Sequence, residues 1–312
     1  RHGFHFSLHR PRWTPRVKRL LHLGVPGVIA GGITQINIMV GTIIASFLPG
    51  AVSYLYYADR IYQLPLGVVG IAIGVALLPD LARRLRGGDG DGALHTQNRA
   101  LEFSLVLTLP AAVALVLVPG EIIAVLFQRG AFDAADTIAT SGALAAYGLG
   151  LPAFVLIKVL SPAYFAREDT ATPMWFAGVA MAVNVVTALA LFPILAHVGI
   201  AFGTSLAGWV NVVLLWATLA RRGDFQPDPL LRRRMPRILL SSVLMGAIVY
   251  GLALLLAPAF VSASLLVRGG ALVLLVGVGM AAFFAFCQLT GAIDLKRSIG
   301  QIAGRRRTAP PA

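Results

Sequence analysis

The chain has 312 residues, 57% of them hydrophobic and only 12% charged, with a mean hydropathy of +0.80, whereas a soluble domain carries about 25% charged residues. An ordinary soluble enzyme is excluded. The formal net charge of +13 is not the signature of a nucleic-acid binder, because the cations alternate with apolar stretches instead of clustering on a soluble face.

Residues 1–19 are basic and contain proline but no apolar core region, so they do not read as a signal peptide. Residue 1 is Arg, and the chain is expected to be part of a longer one. His2, His5 and His9 share a helical face, yet no carboxylate accompanies them and no metal site is expected. Apolar stretches long enough to span a bilayer, which takes about 20 residues, follow near 24–48, 53–81, 98–119, 135–162, 173–195, 198–220, 235–257 and 265–290. The fold expected is therefore an all-α integral membrane bundle of about eight transmembrane helices. Gly87 to Gly92 and Gly223 to Pro229 read as flexible linkers. Glu121 to Gly130 is apolar but too short to span, and reads as an interfacial turn. The lone Cys287 lies in the last stretch, where it has a packing role and can form neither a disulfide nor a cysteine metal site.

Arg and Lys number six before the first helix, four in 82–99, six in 221–237 and five after 295, while the opposite loops carry only Arg129, with Arg268 at the margin of the last helix. The positive-inside rule then places both ends of the chain in the cytoplasm.

Polar groups are costly in lipid, so their placement is informative. Tyr56, Arg60, Gln63 and Gly67 fall at i, i+4, i+7 and i+11 on the second helix, with Asp59 beside them and Pro65 interrupting the backbone bonds. The first helix has Thr34, Asn37 and Gly41 on one face, the third, plainer, has Ser104 and Thr108, the fourth Tyr147, Lys158 and Ser161, the fifth Asn184 and Thr187, and the sixth Thr204, Gly208 and Asn211. The last two stretches are apolar away from their ends. Six helices thus turn polar faces to a shared cavity, and two more pack outside them. A guanidinium cannot shed its charge and presents a fork suited to phosphate oxygens, which makes Arg60 the pivotal residue of a transport site. An internal ion pair is the alternative use of Arg60, simple snorkelling that of Lys158, and helix-to-helix bonding that of the asparagines. No nucleophile-base arrangement, catalytic carboxylate pair or phosphate-binding glycine loop is present, so no catalytic residue and no cofactor is expected.

The run Gln35-Ile-Asn37, Ile44 to Leu48, Tyr56-Tyr-Ala-Asp-Arg60, Leu64-Pro-Leu-Gly67 and Leu77-Leu-Pro79 resembles the MurJ (MviN) family of lipid II flippases. Leu126 to Phe132, Lys158 to Phe165 and Asp169 to Pro173 resemble it too, so that the likeness covers roughly residues 20–300. The resemblance implies a MOP-superfamily fold of fourteen helices in two six-helix lobes plus a C-terminal pair, of which this chain is similar to helices seven to fourteen. It divides the chain into a basic segment (1–19), a six-helix lobe (20–220), a basic linker (221–234), a helix pair with a lipid-tail groove (235–290) and a basic tail (291–312). The implied cargo is lipid II, an undecaprenyl-diphosphate-linked disaccharide peptide, moved from the cytoplasmic to the periplasmic leaflet of the bacterial inner membrane by alternating access. The substrate-binding residues implied are Arg60, for the diphosphate, with Asp59, Tyr56, Gln63, Asn37 and Lys158. Membrane lipids and an N-terminal lobe of the same transporter are the partners implied; no nucleic acid is. Some members carry a sodium site in helices seven, eleven and twelve; Asn184 and Thr204 match its positions, but Gly41 and Ala188 stand where acidic residues would. An exporter of a drug or a lipid-linked oligosaccharide, a polyprenyl-phosphate enzyme and a non-transporting scaffold are the competing readings. The enzyme needs a magnesium-holding acidic cluster, and the loops offer only Asp89, Asp91, Asp224 and Asp228.

Overall fold

A computed structural model of the chain describes residues 14–262 and 264–292. His2, His5 and His9, most of the basic N-terminal segment and nearly all of the basic tail lie outside the described residues. Regular structure among the described residues is helical throughout: α1 (Pro15–Ala45), α2 (Ala51–Arg86), α3 (Gly90–Leu117), α4 (Pro119–Phe127), α5 (Ala134–Phe165), α6 (Ala171–Leu195), α7 (His197–Arg221), α8 (Pro229–Leu255), α9 (Ala257–Phe260) and α10 (Leu265–Thr290). Eight of these are long, and seven, all but α2 among them, meet the length and apolarity needed to cross a membrane. The ninth and tenth, α4 and α9, are short; α4 occupies the segment read as an interfacial turn, which is a helix of 9 residues.

The long helices overrun the hydrocarbon at their basic ends. The 36 residues of α2 extend about 54 Å against a hydrocarbon core of about 30 Å. Polar caps start the helices earlier than hydropathy alone indicates. Thr14 Oγ1 accepts the Val17 N–H at 3.3 Å, Asp89 Oδ1 accepts the Gly92 N–H at 2.8 Å, and Asp228 Oδ1 accepts the Leu231 N–H at 2.6 Å with Pro229 at the first turn. The glycine run is accordingly not an open linker. Gly88 alone takes a positive φ (+75°), and Gly90 and Gly92 already belong to α3.

The second linker is also ordered, because the chain beside it supplies partners. The Asn98 side chain donates to the Gln226 carbonyl at 3.0 Å and accepts the Asp228 N–H at 3.0 Å, while Phe225 is fully buried against Trp216. Arg167 pairs with Asp224 at 3.0 Å, and Arg222 pairs with Asp169 at 2.6 Å. Burial by itself would raise the Asp169 carboxyl, but the Arg222 and Thr172 hydrogen bonds outweigh it and hold the group below the usual carboxylate range. Glu102, buried on α3, bridges Arg99 and Arg234 and so ties α8 to α3.

Helix α5 is the hub of the bundle: α2, α3, α4 and α7 all pack on it, and α6 packs on α7. Small residues set these approaches, as in membrane bundles generally. A Cβ on Gly148 would lie 3.0 Å from Leu115 Cβ, and one on Gly208 3.0 Å from the Phe154 ring. Helix α1 docks mainly on α6 and barely touches α2. The α8 and α10 pair rests on α3 and α4 with an apolar cluster of its own, including Ile238, Met245, Leu275 and Phe283.

Removing one partner of a buried ion pair costs about 3 kcal/mol or more. Replacing Glu102 by Ala strands Arg234 and leaves Arg99 with Asp228 alone, and the variant is expected to unfold several degrees lower than the parent in a detergent thermal scan, whereas Arg83→Ala, on a side chain 76% exposed, leaves the midpoint unchanged.

Candidate functional site: a polar groove on α2 and α5

The α2 stripe is built by helical periodicity and sharpened by Pro65, which lacks an N–H and so leaves the Ile61 carbonyl without its helical donor. Arg60 lies nine residues into α2, about 14 Å from its start along the axis, which is about half the thickness of a hydrocarbon core. Its side chain is exposed and stacks on Tyr56, with the guanidinium carbon 4.5 Å from the ring centroid. Cation–π contact of this kind orients a guanidinium without neutralising it. Arg60 takes part in no ion pair among the described residues. The internal-pair alternative from the sequence finds no partner there.

Asp59 points elsewhere, half-buried, and accepts a hydrogen bond from the Gln63 side-chain amide one turn along. Nearby, and missed in the sequence, is an aromatic pair: Tyr62 and Tyr147, both buried, with ring centroids 5.5 Å apart. The Tyr62 hydroxyl is buried without a partner. The i, i+3 spacing of Asp59 and Tyr62 was the available signal, but Tyr147 comes from α5 and only packing brings it there.

Lys158 reaches the same stripe from α5. Its stem lies across Gly70, where an added Cβ would come within 2.9 Å of Lys158 Cδ and 3.2 Å of Nζ. Gly70 is ten residues along α2 from Arg60 and about 80° around it, in phase with Asp59 and Gln63, which sets the two cations about 15 Å apart along the axis. Both are exposed. Tyr56, Asp59, Arg60, Gln63 and Gly70 fall within an arc of about 100° on α2, with the Lys158 stem laid across Gly70.

Asn37 belongs elsewhere. It faces α6 and α7, where its Oδ1 accepts from Asn184 Nδ2 at 2.9 Å, and Asn184 Oδ1 lies 3.5 Å from Thr204 Oγ1. These residues line a cavity of about 130 Å³ with Thr34 and Asn211, whose Oδ1 is buried without a partner. The donor set is neutral, Ala188 is buried, and the nearest atom to a Cβ on Gly41 is an Ile200 methyl at 3.7 Å. The charged ligands of a sodium site are absent from these positions, and the residues present do not fit one.

A six-helix unit with an added pair is a fold also seen in a solved transporter of the MOP superfamily. The chain superposes on a solved MATE family transporter of that superfamily with a TM-score of 0.58, at 17% identity over 88% of this chain and 64% of the other, a likeness of fold. A family model described as "Lipid II flippase MurJ" matches residues 1–269. A "Probable lipid II flippase MurJ" of Rhizobium meliloti is 53% identical over 294 residues, 94% of this chain and 55% of that protein. The solved "Lipid II flippase MurJ, inward closed conformation" superposes with a TM-score of 0.71 at 25% identity, over 90% of this chain and 56% of that one. The chain belongs to the MurJ family and is a multi-pass bacterial membrane protein. It spans about half the length of the relatives it matches.

The Gly70 notch makes a prediction specific to one contact. Gly70→Ala is expected to displace the Lys158 stem and change the rate at which an amine-reactive probe labels Lys158 in detergent. Gly67→Ala, whose Cβ would meet nothing within 4 Å, is expected to leave that rate unchanged.

Proposed function

We propose that this chain forms the diphosphate-binding half of a lipid II flippase, carrying undecaprenyl-diphosphate-linked disaccharide peptide from the cytoplasmic to the periplasmic leaflet by alternating access against a second lobe. One observation carries the reading: Arg60 holds a permanent charge near the midplane, oriented by Tyr56 and in no ion pair among the described residues. An unpaired cation at that depth costs several kcal/mol, about 2.5 to 3.5 on insertion scales, unless an anion or water compensates. A diphosphate supplies that anion, and the guanidinium fork matches its oxygens.

On this reading Lys158, about 15 Å nearer the basic end, meets the diphosphate first and Arg60 receives it deeper in the groove. Gln63, one turn along α2, holds Asp59 away from the fork, and Asn37 braces α1 on α6. The outward faces of α8 and α10, apolar at Leu239, Val243, Val273 and Met280, give the isoprenoid tail a path in lipid. The basic loops face the cytoplasm of a bacterial inner membrane by the positive-inside rule. The work done is transport, with no covalent step.

In cells whose complete flippase contains this sequence, Arg60→Ala at normal membrane abundance is expected to abolish both lipid II exposure on the outer leaflet and cell-wall synthesis, with Arg60→Lys restoring them only in part, because an ammonium keeps the charge and loses the fork. Unchanged exposure in Arg60→Ala overturns the diphosphate role. Tyr56→Leu, which removes the ring under the guanidinium, is expected to weaken lipid II binding by about threefold to tenfold, the range of a cation–π contact, in a purified-protein titration.

A further inference from the structure

The way from Lys158 to Arg60 runs past a carboxylate. Gly70, under the Lys158 stem, stands in line with Gln63 and Asp59 on α2 within an arc of about 40°, while Arg60 stands about 100° around from Asp59. An anion passing from Lys158 to Arg60 therefore crosses the Asp59 side of the helix. Asp59 is half-buried and in no ion pair among the described residues. Its Oδ2 accepts from the Gln63 amide, and its Oδ1 has no hydrogen-bond partner among the described residues.

Few charged or titratable groups surround this carboxylate. Helix α2 itself brings Arg60, Tyr56 and Tyr62, and α5 brings Tyr147, whose ring centroid lies 5.5 Å from that of Tyr62; Lys158 lies further along the groove. The other helices packed on α2 add none beside it. Among the described residues, α1 has no titratable side chain from Leu23 to Ala45, α3 none from Phe103 to Leu117, and α7 none from Val198 to Ala220. Arg60 is thus the one cation next to Asp59, and it is the cation that a diphosphate would occupy. On arrival of the cargo the carboxylate loses the benefit of that charge and gains a like charge in its place, in a half-buried setting where such repulsion is poorly screened.

We propose that Asp59 is a proton-binding site linked to the cargo: ionised in the empty groove, it takes up one proton on Oδ1 when the diphosphate reaches Arg60. The proton comes from the water of the open groove, and Oδ2 keeps the Gln63 amide throughout. An O–H then stands beside the anion where a negative oxygen stood, and a carboxylic acid can donate to a phosphate oxygen or to water where a carboxylate only accepts. The inference rests on the Arg60 reading and adds a second ligand, a proton, to the same groove. Proton uptake on binding makes the affinity for the diphosphate rise as pH falls, by up to about tenfold per pH unit for one linked proton.

Titration of lipid II into the purified complete flippase that contains this sequence tests it. The disubstituted diphosphate of lipid II keeps both of its charges across the neutral range, so the ligand's diphosphate does not itself titrate. The parent is expected to bind about tenfold more tightly at about pH 6 than at about pH 8, and its calorimetric binding heat is expected to vary with the ionisation heat of the buffer in the sense of proton uptake. Asp59→Asn, a permanently neutral side chain of the same shape, is expected to bind more tightly than the parent at the higher pH, to vary less than about twofold over the range, and to lose the buffer dependence. The parent's buffer dependence serves by itself if that variant folds poorly. A parent that takes up no proton, or an Asp59→Asn variant that takes up as much as the parent, overturns the proton site while Arg60→Ala still weakens binding. Unchanged binding in Arg60→Ala overturns the diphosphate reading, and the proton site with it.

Discussion

The close packing of α5 is the constraint on which the other placements depend. Because nothing in a bilayer core hydrogen-bonds a stray backbone or hydroxyl group, α5 gathers its neighbours by small residues and by polar groups aimed at its carbonyls. Ser205 Oγ donates to the Ala146 carbonyl at 2.6 Å and Trp209 Nε1 to the Leu149 carbonyl at 3.0 Å, and both bind α7 to it. Tyr164 returns the bond, donating to the Leu215 carbonyl at 2.7 Å. With α7 fixed on one side and α2 on another, the α2 stripe has nowhere to face but the open groove, and α1 is left to dock on α6. The unpaired state of Arg60 follows from this arrangement, since among the described residues no acidic side chain comes within ion-pair distance of it.

The same logic separates the two polar regions. Asn37, Asn184 and Thr204 satisfy one another across α1, α6 and α7, and amide pairs of this kind join helices at modest gain, about 0.6 to 2 kcal/mol each. That region is neutral and bonded across helices. The α2 groove is open and charged. The first holds the lobe together, and the second is free to meet an anion.

The spans were legible in the sequence because lipid demands unbroken apolar runs, and the stripe of Tyr56, Arg60 and Gln63 because a helix repeats every 3.6 residues. What escaped was whatever depends on a partner from another helix. Hydropathy ends α2 near residue 81, yet the helix runs to Arg86 outside the hydrocarbon. The Gly87 to Gly92 run looked like a linker because glycine content carries no information about the Asp89 cap. The position of Lys158 against Gly70, and of Tyr147 behind Asp59, is set by the register of α5 on α2, which no local pattern encodes. The resemblance groups Asn37 with the cargo-binding residues, and its bond to Asn184 on α6 is a tertiary fact that the sequence offered only as an alternative.

The charge of the groove bears on a question apart from cargo. Arg60 and Lys158 against Asp59 leave one net positive charge along a wet surface within the membrane, and a wet surface there is a route by which protons and metal ions could dissipate the gradients that the cell maintains. Fixed cations close such routes in water-conducting pores, and the pair on α2 and α5 carries the charge that such a barrier requires. A lobe built this way can stand open to water between cargoes and still insulate the membrane.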